Sequence, residues 1–152
     1  MTSLNIVKVS ATSSGLTTAT TAYVDGDILG AEMTFDMGTN VMGAIVSAVI
    51  HDAADIIGTV DLILSDRSVT LGTDNVAPSG SDADELFGIP PINFPYPLDL
   101  SNNRRGSIDS IFAAVNSNAS GQIFGRMITR SAHTFFGAAT NIQVDLYFSI
   151  DV

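Results

Sequence analysis

The residues that most restrict the fold are those from Asn141 to Asp151. Ile142, Val144, Leu146, Phe148 and Ile150 alternate there with Gln143, Asp145, Tyr147, Ser149 and Asp151. A period of two sends the two sets to opposite sides of an extended chain, so this segment is a strand with one side buried. A half-buried strand cannot stand alone. It needs neighbours along its edges and a second layer against its apolar side.

Other segments also read as strands. Glu32 to Asp36 sets Met33 and Phe35 on one side. Thr59 to Ser65 opposes Val60, Leu62 and Leu64 to Asp61 and Ile63. Gln122 to Arg130 carries Ile123, Phe124, Met127 and Ile128. In Asn5 to Ser10, Ile6 falls opposite Val7 and Val9, which leaves the inner side open. Val41 to His51 is nearly continuously apolar and rich in Val and Ile. It reads as a central strand covered on both sides, although its period also fits a short helix.

Turn chemistry separates these runs. Asp25-Gly26-Asp27 is a tight-turn signal, and Asn116 to Gly121 is another. Leu71 to Glu85 reads as a loop. Pro90, Pro91, Pro95 and Pro97 make Gly88 to Leu98 an extended connection with few ladder bonds. One or two short helices are expected, one near Asp82 to Phe87 and, as the second, Ser107 to Val115. The expected fold is therefore all-β: an antiparallel β-sandwich, jelly-roll-like, with one or two short helices. Residues 1–22 are expected to form a flexible N-terminal arm, or a first strand plus a Ser/Thr-rich loop. Residues 23–152 are expected to form a single β-sandwich domain. At 152 residues a chain buries about 68–70% of its unfolded surface, enough for a core without staples. There are no cysteines to form a disulfide or a thiolate metal site.

Charge narrows the function classes. The formal net charge is −10, Lys8 is the only lysine, and charged residues make up 14% of the chain. Sequence-independent nucleic-acid binding needs clustered cations to displace phosphate counterions, and this chain does not supply them. The longest apolar run, Val41 to Ile50, is too short to cross a bilayer as a helix. The N-terminus lacks the basic start and apolar block of a secretory signal, so the expectation is a soluble protein made in a cytoplasm.

Little in the sequence points to catalysis. His51 and His133 are the only histidines, which excludes a three-histidine metal centre. His51-Asp52 has the form of a base beside an orienting acid, with Ser47 nearby, but no nucleophile elbow accompanies it. His51 also reads simply as a strand-end residue. Asp25 with Asp27, Asp52 with Asp55, and Asp82, Asp84 and Glu85 offer carboxylate oxygens of the kind calcium takes. None has the twelve-residue spacing of a calcium loop, and the plainer expectation is that Asp25 and Asp27 shape a turn and Asp82 caps a short helix. The sixteen acids allow many carboxylate pairs, but there is no Trp to stack a sugar. The expectation is a protein that is not an enzyme, with no cofactor and no metal. Arg104-Arg105 is the one basic cluster. It and Pro90, Pro91, Pro95 and Pro97 are the candidate partner contacts.

The order of motifs resembles that of the capsid decoration, or cement, proteins of tailed bacteriophages. Tyr23-Val24-Asp25-Gly26-Asp27-Ile28-Leu29-Gly30 is similar to a motif that follows a Ser/Thr-rich start in that group. Met33-Thr34-Phe35, the apolar run Gly43 to Asp52, and Asp61-Leu62-Ile63-Leu64 follow in order. Thr73-Asp74-Asn75-Val76-Ala77-Pro78 with Ser81-Asp82-Ala83-Asp84 resembles the group's loop. Ile123 to Arg130, Thr134 and the last strand resemble its closing pair. The resemblance spans roughly residues 20–151. It implies a structural protein on the outer surface of a virion, with the major capsid protein as partner and a homotrimer as its form. The alternative is another virion part, such as a neck, tail or receptor-binding head-fibre module.

Overall fold

The computed structural model describes residues 4–11, 21–39, 41–53, 55, 58–68, 71–79, 91–95, 98–132 and 142–151. Nine strands lie among them: β1 (Leu4–Ser10), β2 (Ile28–Asp36), β3 (Met42–Asp52), β4 (Val60–Ser65), β5 (Ile92–Phe94), β6 (Leu98–Asp99), β7 (Arg104–Asn116), β8 (Gln122–Thr129) and β9 (Ile142–Asp151). They form two sheets, one ordered β1-β9-β3-β7-β6 and the other β2-β8-β4-β5. Every pairing is antiparallel. The chain passes back and forth between the sheets, so sequence neighbours such as β1, β2 and β3 sit in alternate layers. With the two-residue β6 set aside, this is the eight-stranded, double Greek-key winding of a jelly roll.

β9 lies between β1 and β3 and shows the expected alternation from Ile142 to Phe148, although Ile150 is only half-buried and Asp145, on the other side, is buried as well. Ile142, Val144, Leu146 and Phe148 are all buried in the single large core between the sheets. Met33 and Phe35 of β2, Val60, Leu62 and Leu64 of β4, and Ile123 and Met127 of β8 close that core from the facing sheet. The uncertain inner side of β1 is the one carrying Val9, which packs on the core. Each large apolar side chain buried this way is worth about 1.5–3 kcal/mol.

The structure corrects the expectation of a helix over 107–115. That segment belongs to β7, and no helix occurs among the described residues. The reason is a bulge. Ile45 of β3 pairs with Ala113 and Ser47 with Asp109, so Ser110, Ile111 and Phe112 oppose Val46 alone. Gly106 is buried and Ile108 packs inward before the bulge, Ile111 packs inward within it, and Ala113 and Val115 are buried after it. The larger apolar side chains of this inward set, Ile108, Ile111 and Val115, therefore fall at helical spacing, produced by two period-two runs out of phase. The helix expected over Asp82 to Phe87 lies outside the described residues.

The proline-bearing connection is also more ordered than expected. It holds β5 between Pro91 and Pro95, paired with β4, and begins β6 at Leu98. β2 begins at Ile28, earlier than Glu32, with a register shift between Leu29 and Met33 where Gly30 takes φ +81°. Gly121, at φ +80°, is required by close approach as well: a Cβ there would come within 2.5 Å of the Gly38 backbone.

Truncating Leu146 to Ala leaves a cavity at the centre of β9. It should cost about 2–5 kcal/mol in urea unfolding, whereas Ser149→Ala, on the outer side of the same strand, should stay within about 0.5 kcal/mol.

Candidate functional site

The residues singled out for chemistry do not converge. His51 and Asp52 are neighbours on a strand and point to opposite sides of the sheet. His51 is exposed, and Asp52 is buried on the side of Ala48 and Ile50. The Ser47 hydroxyl donates instead to Asp109 at 2.7 Å. A Ser-His-Asp arrangement is a matter of geometry, and this geometry does not permit one. Among the described residues no three His, Asp or Glu side chains gather closely enough to hold a metal ion. His133, Asp82, Asp84 and Glu85 lie outside the described residues.

The Asp25-Gly26-Asp27 segment is a turn. Gly26 sits at φ +92°, Asp27 is buried, and its Oδ2 accepts the Val24 N–H at 2.8 Å. Gly26 N–H also bonds the Thr129 carbonyl, and Thr129 N–H returns to the Asp27 carbonyl, which fixes the turn to the end of β8.

Tyr23 and the 71–79 segment build the most connected polar junction. Tyr23 is fully buried, and its hydroxyl donates to Asp74 Oδ1 at 2.8 Å. The same oxygen accepts the Gly30 N–H at 2.7 Å. Asn75 N–H bonds the Ile28 carbonyl, and Ile28 N–H bonds the Val76 carbonyl. Asn75 Nδ2 reaches the Thr21 hydroxyl at 2.6 Å. Leu71 is fully buried against Ile28 and Ile63 on the outer side of the four-stranded sheet. The segment read as a plain loop is thus laid across that sheet and bonded to its margin. Burial, and the Asp74 carboxylate beside it, push the Tyr23 phenol well above its ordinary pKa, so it remains a donor throughout the physiological range. Tyr23→Phe should cost about 1.5–3 kcal/mol in chemical unfolding, because it removes a charge-assisted bond and leaves Asp74 under-satisfied.

The candidate contact residues separate into two groups. Arg104 and Arg105 open β7 rather than lying in an exposed loop. Arg104 Nε pairs with Asp55 Oδ1 at 3.1 Å and is half-buried, so its charge is already answered within the chain. Arg105 is exposed. It opposes His51 on one side and Leu98 on the other. Pro95 is exposed and its carbonyl accepts the Thr59 hydroxyl. Pro91 is exposed at the far end of β5. Pro90 and Pro97 lie outside the described residues. Leu98, 65% exposed, stands opposite Arg105, and Leu100, two residues on, is 48% exposed; neither was singled out from the sequence. Only an unburied apolar pair next to a strand start marks them, and the sequence carries no sign of that exposure.

Two more ion pairs shape the sheets' outer sides. Arg126 lies 3.9 Å from Glu32, which also accepts the Ser68 hydroxyl at 2.6 Å. Arg126 Nε is buried without a hydrogen bond, and burial lowers the pKa of this guanidinium. On the five-stranded sheet, Lys8 Nζ lies 2.8 Å from Asp145 Oδ2, and Asp145 is almost fully buried. Burial alone would raise the Asp145 pKa. Hydrogen bonds from Lys8, Ser10 and Gln143, with the Lys8 charge, outweigh it and hold the carboxyl below its ordinary value. A depressed carboxyl pKa contributes stability above the unfolded-state value of about 3.9 and loses it as pH falls through the folded value. Lys8→Met should therefore lower the urea midpoint at pH 7, and the difference from the parent should shrink as pH drops below about 4.

No protein-family profile matches the chain, and no characterised protein matches it closely enough to count as a relative. Solved structures give weak likenesses. A structure of tomato aspermy virus matches at a TM-score of 0.46 and 9% identity, over 98% of this chain and 78% of that one. A Bacillus thuringiensis Cry1Da tryptic core variant matches at 0.37 and 13%, over 90% of this chain and 22% of that one. The native virion of Kashmir bee virus matches at 0.34 and 14%, over 97% and 69%. At these values the likeness assigns no function, and the jelly-roll description rests on the strand order alone.

Proposed function

We propose that this chain is a structural protein of a virion that decorates the outside of a phage head and cements it. One observation carries the reading. The resembling motifs occur in family order, and two of them, Tyr23 to Gly30 and Thr73 to Pro78, meet in the fold at Asp74. Their residues shape turns and hold a segment in place, which is the role the resemblance implies. The scattered positions of His51, Asp52 and Ser47 fit a function without chemistry.

In this reading the partner is the major capsid protein, and copies of the chain sit as homotrimers between capsomers. The mechanism is linkage. A ligand that binds only the assembled shell stabilises it by an amount that grows with the logarithm of its concentration over Kd, about 4 kcal/mol at a thousandfold excess. Arg105 with Leu98 opposite it offers an exposed cation beside an exposed apolar side chain, a composition suited to a protein contact.

Adding the purified protein to bare, expanded capsids should raise their melting temperature, and Arg105→Glu should weaken the effect. An unchanged melting temperature at saturating protein would refute cementing. A copy number in virions of only a few per cent of the major capsid protein would move the chain to a neck, tail or fibre.

A further inference from the structure

An unpaired strand at a sheet margin presents a row of N–H and C=O groups to any other extended chain, and folded proteins normally blunt such margins. Here the margins are β1 and β6 in one sheet and β2 and β5 in the other. Three are blunted. β2 is bonded by Asn75 and Val76 at Ile28. β5 has three residues and lies between Pro91 and Pro95. β6 has two residues, and past it β7 is broken by the bulge, where Ser110 and Phe112 take φ +62° and +51°. Left-handed backbone at two non-glycine residues interrupts the regular row of bonds that a new strand would need.

β1 carries none of these devices. Its seven residues pair with β9 in unbroken register, without a bulge or a proline. Among the described residues no strand lies along its other side. Apolar side chains are exposed on both of its faces, Ile6 at 57% and Val7 at 39%.

We propose that β1 is a pairing edge, occupied by β1 of a second copy of this chain, antiparallel about a two-fold axis, so that two five-stranded sheets run on as one. The charge pattern favours a second copy. A chain of net charge −10 repels itself unless the contact is locally neutral. The one charge described on β1 is Lys8, and Asp145 of the same chain already answers it. Read against itself with Val7 on the axis, the strand opposes Ile6 to Lys8 and Asn5 to Val9, so no like charges meet. An isologous contact needs such self-complementarity. Val7 is turned to the side of Val9 and left exposed at the core's rim, and the partner's copy of it would extend that core. The contact is separate from the three-fold one proposed above and holds whether or not the chain coats a shell.

The chain has no cysteine, so a single introduced thiol reports without background. Opposed residues of an antiparallel pair lie about 4.5–5.5 Å apart at Cα, within disulfide range. A cysteine placed in turn at each position from Asn5 to Val9 should give a disulfide-linked dimer under mild oxidation, with yield highest near Val7 and falling to either side. The double variant Ile6→Lys, Val7→Lys should halve the mass measured by light scattering while keeping the β-sheet circular dichroism. Absence of a covalent dimer across the whole cysteine series would overturn the proposal, as would a mass unchanged in a folded double-lysine variant. If that variant does not fold, the cysteine series decides alone. A protein monomeric at all concentrations that nevertheless binds shells through β1 would also overturn it, in favour of a strand donated by the shell.

Discussion

The rest of the structure depends on the pairing of β9 between β1 and β3. That strand turns Ile142, Val144, Leu146 and Phe148 into the core and bonds a neighbour on each side. Remove its alternation and the five-stranded sheet loses an interior strand and much of its inner face. Because the side-chain period is two, a slip of one residue would carry all four apolar side chains to the outer face. Asp145 adds a second check on register. It sits on that outer face, almost fully buried, where Lys8, Ser10 and Gln143 satisfy it. A slipped strand would put this carboxylate into the core without them.

Polar contacts of this kind, rather than added apolar area, hold the long connections in place. Asp74 receives Tyr23 and Gly30, residues far from it in sequence, and draws the segment after β4 onto the margin of the opposite strand. Asp27 closes the turn before β2, and Asp55 reaches Arg104 at the start of β7. A chain with 14% charged residues has few carboxylates and cations to spare for solvation, and several of them are used to seat loops.

The alternating segments were legible because each has one buried side and a regular ladder. β4 and β9 needed nothing beyond their period. β7 was not legible, because its bulge shifts the phase midway and leaves inward residues at helical spacing. β5 was hidden by its prolines, which forbid long strands but tolerate a three-residue one at a margin. The 71–79 segment has a loop's composition, and only the burial of Leu71 shows that it is packed. Of the candidate contacts, Arg104 could not be told from Arg105 in the sequence. What separates them is Asp55, 49 positions away, which answers one and not the other. The face divided between His51 and Asp52 was in principle readable from alternation, but the bulge at Val46 obscures which residues of β3 point inward.

The jelly-roll winding also governs how the chain comes to be folded. β1 pairs with β9, so it must wait for a segment far along the chain. β2 likewise waits for β8. Contacts of such long separation exact their loop-closure entropy before they return any stabilisation, which makes folding slow relative to helical proteins of equal size. During synthesis, Leu4 to Ser10 has no neighbour until β9 has been made. Of the described strands it is the one whose partner lies farthest along the chain, and it waits with apolar side chains on both faces.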